Sequence, residues 1–312
     1  MHLHAPPYPT AAPIGVPGMP SSPRRGIVAG ALAALSLGLS GCWSGPSTQP
    51  NVAPLREGVR FIDDLSYGPA ERHQVGLYHP VDTPPVGGWP VIVAFHGGFW
   101  QTGSRDEWQM HLCARQLAER GTVVILANYR LYPEVTFPGF VEDGARAVEW
   151  ASRNVAQFGG NRDAIFTAGH SAGGHIAVML AMDDHFLTAH GIRLAGAIGI
   201  AGPYGTWFQE NFLVSGVFPV ELRRESSPIA LAHASAPPLL LIGAGLDVIV
   251  RPSDSTELAE RVRHVGGQAR SIIYPLASHT SIMMPPPFGP DGVVADVCDF
   301  IQAALGRKTP AP

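Results

Sequence analysis

The chain has 312 residues, 46% hydrophobic and only 15% charged, so it can build a sizeable core as one large domain or two small ones. Its formal net charge is −4 and no run of Lys or Arg occurs, which argues against nucleic acid as a partner. Three cysteines, an odd count, exclude a complete disulfide framework. Cys113 and Cys298 fall in helix-like stretches and read as buried free thiols, with a bond between them as the alternative in an oxidising compartment.

Residues 1–41 read as an export signal. Arg24 and Arg25 precede the uncharged apolar run Gly26 to Leu39, which is too short to span a bilayer as an ordinary helix. The run ends in Leu39-Ser40-Gly41-Cys42, which resembles the bacterial lipobox. The resemblance implies lipidation of Cys42 and an exported protein anchored to a membrane by its acyl chains. The proline-rich residues 1–18 fit no region of such a signal, so Met19 is the expected start. Residues 42–57, rich in Ser, Gly, Pro and Gln, read as a flexible tether. Residues 58–306 form the expected globular body and residues 307–312 a disordered tail.

Along the body, Val59–Ser66 and Gln74–His79 alternate weakly and suggest an opening antiparallel pair. Trp89–Phe95 is a continuous apolar run, the pattern of a strand buried on both faces. Glu107–Arg120 has helical spacing and ends at Gly121, a suitable left-handed cap. Thr122–Ala127 reads as a strand, Gly139–Gln157 as a helix, Ala164–Ala168 as a short strand and Ser171–Met182 as a small-residue helix. Leu194–Ile200 and Pro238–Ile242 follow as strands, then a helix at Ser253–Val265, a strand at Ala269–Tyr274 and a closing helix at Val293–Leu305. Strands alternating with helices imply an α/β fold with a mostly parallel sheet covered on both faces. The stretch Pro203–Ala236 breaks this rhythm. With Trp207, Phe208, Phe212 and Phe218, it suggests a small cap or insertion.

Between the strand Ala164–Ala168 and the helix Ser171–Met182 stands Gly169-His170-Ser171-Ala172-Gly173, a Gly-x-Ser-x-Gly pattern on a strand-to-helix turn. A serine on so tight a turn is lifted above the sheet edge, and glycines on either side avoid clashes with the neighbouring strand and helix. The helix start also points its positive end at a developing oxyanion. Ser171 is therefore the candidate nucleophile. His96-Gly97-Gly98-Phe99-Trp100 follows the apolar strand directly. Its glycines can turn backbone amides toward a substrate carbonyl, making Gly97, Gly98, Phe99 and Ala172 the candidate oxyanion hole. His96 reads as a structural support of that loop. Trp100 and His170 are candidate pocket residues.

A serine nucleophile needs a base, and the base an orienting acid. Chain order in such folds runs serine, acid, histidine. Asp247, at a strand exit in Gly243-Ala244-Gly245-Leu246-Asp247, is the preferred acid. Asp254 competes but lies at the next helix start, where its charge favours the helix N-terminus. His279, just beyond the strand Ala269–Tyr274, is the preferred base.

Taken together, the chain resembles the esterase branch of the α/β-hydrolases that carries His-Gly-Gly-x-Trp loops, a group including carboxylesterases, feruloyl-esterase-like proteins and kynurenine formamidases. Asn128-Tyr129-Arg130-Leu131-Tyr132-Pro133-Glu134 and Phe158-Gly159-Gly160-Asn161-Arg162-Asp163 extend the likeness over about Val59 to Leu305. The resemblance implies an α/β-hydrolase fold and cleavage of a small-molecule carboxylic ester through an acyl-enzyme, with no metal or organic cofactor. The loops around Ser278-His279-Thr280 and Gly245-Leu246-Asp247 depart from the group's usual Gly-His and His-Gly patterns, which implies altered loop shapes. A formamidase on the same machinery is the first alternative. A catalytically silent surface lipoprotein used for binding is the second. Peptidase activity is a weaker third, since no propeller-sized domain precedes the body. No pattern specifies an oligomeric state.

Overall fold

A computed structural model of the chain describes residues 58–306 apart from 215 and 288. The readings of an export signal, of Cys42 lipidation, of a tether and of a C-terminal tail lie outside those residues.

The body is one eight-stranded sheet. Its strands are β1 (Val59–Ser66), β2 (Gln74–Pro80), β3 (Trp89–Phe95), β4 (Val123–Ala127), β5 (Gly160–His170), β6 (Gly196–Ile200), β7 (Leu239–Ala244) and β8 (Ala269–Tyr274). They lie in the order β1-β2-β4-β3-β5-β6-β7-β8. β1 and β2 form an antiparallel pair, β2 joins β4 antiparallel, and every later neighbour is parallel. The helices are α1 (Trp108–Ala118), α2 (Gly139–Asn154), α3 (Ala172–Met182), the single-turn α4 (His185–Thr188), α5 (Ser253–His264) and α6 (Val293–Ala304).

The expected parallel sheet with two covered faces is present, and alternation along the strands explains it. Val91, Val93, Phe95, Ile125 and Leu241 face a core closed by Phe140 of α2, Ile176 of α3 and Leu258 of α5. Ile92, Val124, Phe166, Ile198 and Leu240 face a second core closed by Met110 of α1 and Phe300 of α6. Cys113 and Cys298 are both free thiols.

Two elements differ from the sequence expectation. β5 starts at Gly160, not Ala164, because Trp89 pairs with Gly160 before the register shifts to Val91 opposite Ile165. The polar Asn161-Arg162-Asp163 stretch hides this start from a reading based on apolar runs. Among the described residues of Pro203–Ala236 the regular elements are short 3-10 turns. Phe208 and Phe218 are buried, whereas Phe212 is exposed, so the segment is part core and part cover.

The sheet order turns around at β3: β4 lies on one side of it and β5 on the other. Such a switch point leaves a crevice at the carboxyl ends of the two diverging strands. Phe95 is paired with Gly169 there, so the loop after β3 and the turn after β5 leave the sheet side by side.

Beside this crevice, α2 contributes a fully buried carboxylate. Asp143 accepts from the Arg130 backbone amide at 2.9 Å and from its guanidinium at 2.7 and 2.9 Å, and His73 Nε2 stands 2.9 Å away. The cluster ties the segment after β4 and the turn before β2 to α2. Asp143→Ala leaves the cationic partner without its anion and should cost about 3 kcal/mol of unfolding free energy, measurable by denaturant titration.

Candidate active site

Ser171 ends the strand β5 and caps α3 with φ 55° and ψ −121°, a strained backbone for any residue with a side chain. The two flanking glycines show why the turn can exist. A Cβ on Gly173 would stand 2.1 Å from the Phe95 carbonyl oxygen, and one on Gly169 would stand 2.2 Å from the Gly173 carbonyl oxygen. Both contacts are with backbone that cannot swing away.

The three residues that the sequence singled out are brought together. Ser171 Oγ lies 2.9 Å from His279 Nε2, and His279 Nδ1 lies 2.7 Å from Asp247 Oδ2. The Nδ1–H tautomer satisfies both contacts: the carboxylate accepts from Nδ1, and Nε2 is left to accept from the serine hydroxyl. The other Asp247 oxygen accepts the backbone amides of Ile249 and Val250 at 2.8 and 2.9 Å. Burial alone would raise this carboxyl, but the His279 hydrogen bond and the two amides outweigh it and hold it below the usual aspartate range. Asp254, the competing acid, is buried elsewhere. It accepts from the Tyr204 amide at 2.8 Å and from Trp207 Nε1 at 2.8 Å, pinning the segment after β6 to the start of α5.

The loop after β3 passes directly over the turn. A Cβ on Gly97 would lie 3.2 Å from Ser171 Cβ. Gly98, Phe99 and Trp100 all have positive φ, at 116°, 56° and 59°. The Gly98 carbonyl accepts the amides of Gln101 and Thr102 at 3.0 and 2.9 Å, which closes the loop into a tight turn. Among the described residues the amides of Gly98 and Phe99 donate to nothing. They and the Ala172 amide at the start of α3 are the donors available to a bound carbonyl.

His96 supports this loop, as its position suggested. Its Nδ1–H donates to the Gly97 carbonyl at 2.7 Å, its ring stacks on Tyr129, and Arg72 donates to its Nε2 at 3.2 Å. Burial drives its pKa down to about 3, so the ring is neutral. Sequence reasoning missed the rest of the support. Arg72 also donates to the carbonyls of Tyr129 at 2.7 Å and Gly103 at 2.9 Å, while Tyr129 Oη donates to the His96 carbonyl at 2.9 Å. The likeness of Asn128–Glu134 to esterase sequences was the one signal that pointed here.

Trp100 lines a recess that opens at Ser171, together with Phe99, Trp207, Phe208, Val214 and Ile249. Its empty space, mouth included, is about 360 Å³. Trp100 itself is buried, stacked on Phe208 and edge-on to Phe218 and His175. His170 is a correction to the pocket assignment. Its side chain follows Phe166 and Ala168 to the opposite face of β5, as strand alternation requires, and borders an apolar cavity with Met110, Cys113 and Met283. Its Nε2–H donates to the His279 carbonyl at 2.7 Å, so it braces the histidine loop from behind.

Three buried imidazoles surround the site in the neutral form. Burial pushes His96 and His170 down to about 3 and His175 down to about 4, against 6.5 in the unfolded chain. Below pH 6.5 the unfolded state therefore binds protons that the native state refuses. Their contribution is complete above about pH 6.5 and is lost as pH falls toward 4, by up to about 4 kcal/mol per pH unit when all three titrate together. Denaturant midpoints at pH 7, 6 and 5 should fall steeply, and a flat profile would contradict the neutral assignments.

Comparison with known proteins places this geometry. The profile of the prolyl oligopeptidase family matches residues 141–308, just over half the chain, and that of the BD-FAE family matches residues 77–192. Esterase LipQ of Mycobacterium tuberculosis is 26% identical over 286 residues, covering 85% of this chain and 68% of that protein. Esterase LipC of the same organism is 29% identical over 264 residues, 76% of this chain and 64% of that protein. The isoprenylcysteine alpha-carbonyl methylesterase ICME of Arabidopsis thaliana is 25% identical over 266 residues, 77% of this chain and 61% of that protein. The chain thus spans about two thirds or less of the length of these relatives. Among solved structures, esterase 2 of Thermogutta terrifontis superposes with a TM-score of 0.69 at 22% identity, covering 85% of this chain and 99% of that one. Esterase B of Lactobacillus rhamnosis gives a TM-score of 0.69 at 19% identity, with 88% and 95% covered, and both likenesses establish the fold. The chain belongs to the prolyl oligopeptidase family, with the α/β-hydrolase fold.

Proposed function

We propose that this protein hydrolyses small-molecule carboxylic esters through an acyl-enzyme formed on Ser171. The observation that carries this reading is the continuous relay from Asp247 through His279 to the Ser171 hydroxyl, at 2.7 and 2.9 Å. His279 Nε2 takes the hydroxyl proton as Oγ attacks the ester carbonyl, and Asp247 stabilises the imidazolium that forms. The carbonyl oxygen becomes an oxyanion beside the amides of Gly98, Phe99 and Ala172, donors that strengthen as the charge develops. The imidazolium then gives its proton to the leaving alcohol. Water attacks the acyl-enzyme with His279 again as base, and the acid departs as Ser171 regains its proton. The relatives named as esterases support the ester as substrate.

The same reading includes export and anchoring through a lipidated Cys42, on the strength of the Leu39-Ser40-Gly41-Cys42 motif. Metabolic labelling with a fatty-acid analogue should tag the wild type and leave Cys42→Ser untagged.

A panel of p-nitrophenyl esters and an N-formyl aryl amine tests the chemistry. Ester turnover should exceed formamide turnover, and Ser171→Ala should lower it by about 10⁴-fold or more. Formamide turnover above ester turnover would favour the formamidase reading, and absence of both would favour a silent body. His170→Leu removes the donor to the His279 carbonyl and should lower kcat about 10- to 100-fold with little change in KM. His170→Gln, whose amide can reach the same carbonyl, should recover most of that loss.

A further inference from the structure

Ten large apolar side chains are exposed among the described residues, and six of them lie on three segments, two of which border the Ser171 recess while the third is hydrogen-bonded to one of those two. Phe212 and Leu213 lie between Asn211 and Val214, both of which line the recess. Leu246 and Val248 flank Asp247, and Ile249 both lines the recess and reaches solvent. Leu276 precedes His279 by three residues. The last two segments run together, since the Leu246 amide donates to the Ala277 carbonyl at 2.8 Å. The exposure is extreme at two positions, 96% for Val248 and 85% for Leu276.

Single exposed apolar residues are ordinary on any protein, but a cluster around one opening marks a surface that meets something apolar. A freely dissolved small ester can be held inside the recess and has no use for a ring of apolar side chains outside it. The charge pattern narrows the partner further. The acid in Leu246–Val250 is Asp247, whose side chain is 1% exposed, and Pro275–Thr280 carries no Asp, Glu, Lys or Arg. The exposed charges bordering these segments are one acid, Glu210, and one base, Arg251, whose guanidinium lies 4.6 Å over the Trp207 ring, so the rim carries no net charge to favour an anionic headgroup.

We infer that Leu246, Val248, Ile249 and Leu276, with Phe212 and Leu213, form a docking rim for an uncharged or zwitterionic lipid surface, from which the recess draws its ester. Insertion of the rim into the headgroup and acyl boundary buries these side chains and sets Ser171 against the depth at which ester bonds of an amphiphile lie. The inference rests on the ester-hydrolase reading for the fate of the substrate, whereas the docking itself requires no turnover.

The test uses the full chain carrying Cys42→Ser, so that no acyl anchor contributes, and compares it with the same chain bearing Val248→Ser and Leu276→Ser. Association with phosphatidylcholine vesicles is read by co-sedimentation, for these proteins and for Ser171→Ala. The expected result is binding by the parent and by Ser171→Ala, weakened about tenfold or more by the two rim substitutions, since burial of one branched aliphatic side chain alone is worth a factor of that order. Hydrolysis of dissolved p-nitrophenyl acetate should stay within about twofold of the parent, which shows that the variant is folded. Failure of the parent to bind vesicles overturns the inference, as does equal binding by the rim variant. Self-association of the parent that the rim variant abolishes, without vesicle binding, overturns it in favour of a contact between two copies of this chain. Loss of acetate hydrolysis in the parent, with vesicle binding intact, would instead count against the ester-hydrolase reading alone.

Discussion

The site depends on one backbone approach, where α3 leaves the turn after β5 and crosses the end of β3. The Gly173 α-carbon faces the Phe95 carbonyl so closely that a methyl group would stand 2.1 Å from that oxygen. This contact forces the turn to be tight, and the tight turn forces Ser171 to a positive φ. It also brings the loop after β3 over the serine, where a Cβ on Gly97 would press on Ser171 at 3.2 Å. Nucleophile and oxyanion donors are thus two consequences of one packing constraint.

The base reaches this turn from the far edge of the sheet, and four contacts hold it. Asp247 accepts from Nδ1, Ser171 lies at Nε2, His170 donates to the backbone carbonyl, and Ser281 Oγ accepts the amide of the preceding Ser278 at 2.9 Å. The neutrality of His170 matters here. Its ring centroid lies 4.7 Å from that of His279, and a second positive charge at that range would oppose the imidazolium on which acyl transfer relies. Burial, reinforced by the nearness of His279, keeps the proton off His170.

Much of this was legible in the sequence because it is written locally. The apolar runs of β3, β4 and β7, the Gly-x-Ser-x-Gly turn and the strand exits at Asp247 and His279 each depend on a handful of adjacent residues. What escaped was long-range or at odds with local pattern. Arg72 meets the Tyr129 carbonyl across 57 residues, and Asp254 meets the Tyr204 amide across 50. No periodicity announces such partners. The start of β5 was hidden by polar residues, and α4 is a single turn, too short for helical spacing to reveal. His170 was assigned to the wrong side of the sheet, although counting alternate residues from Phe166 points it away from the recess.

The two jobs of the segment around α5 have a consequence for how such a catalyst can change. The residues just before this helix supply the acid of the relay, and Asp254 in its first turn grips Trp207, a wall of the recess. Any displacement of that helix therefore moves the proton relay and reshapes the recess in the same stroke. Substitutions within the short turns of the insertion, by contrast, can recut the recess while the relay stays put. New substrate preferences are accordingly most accessible from that insertion, and the helix itself is the element that evolution can least afford to tilt.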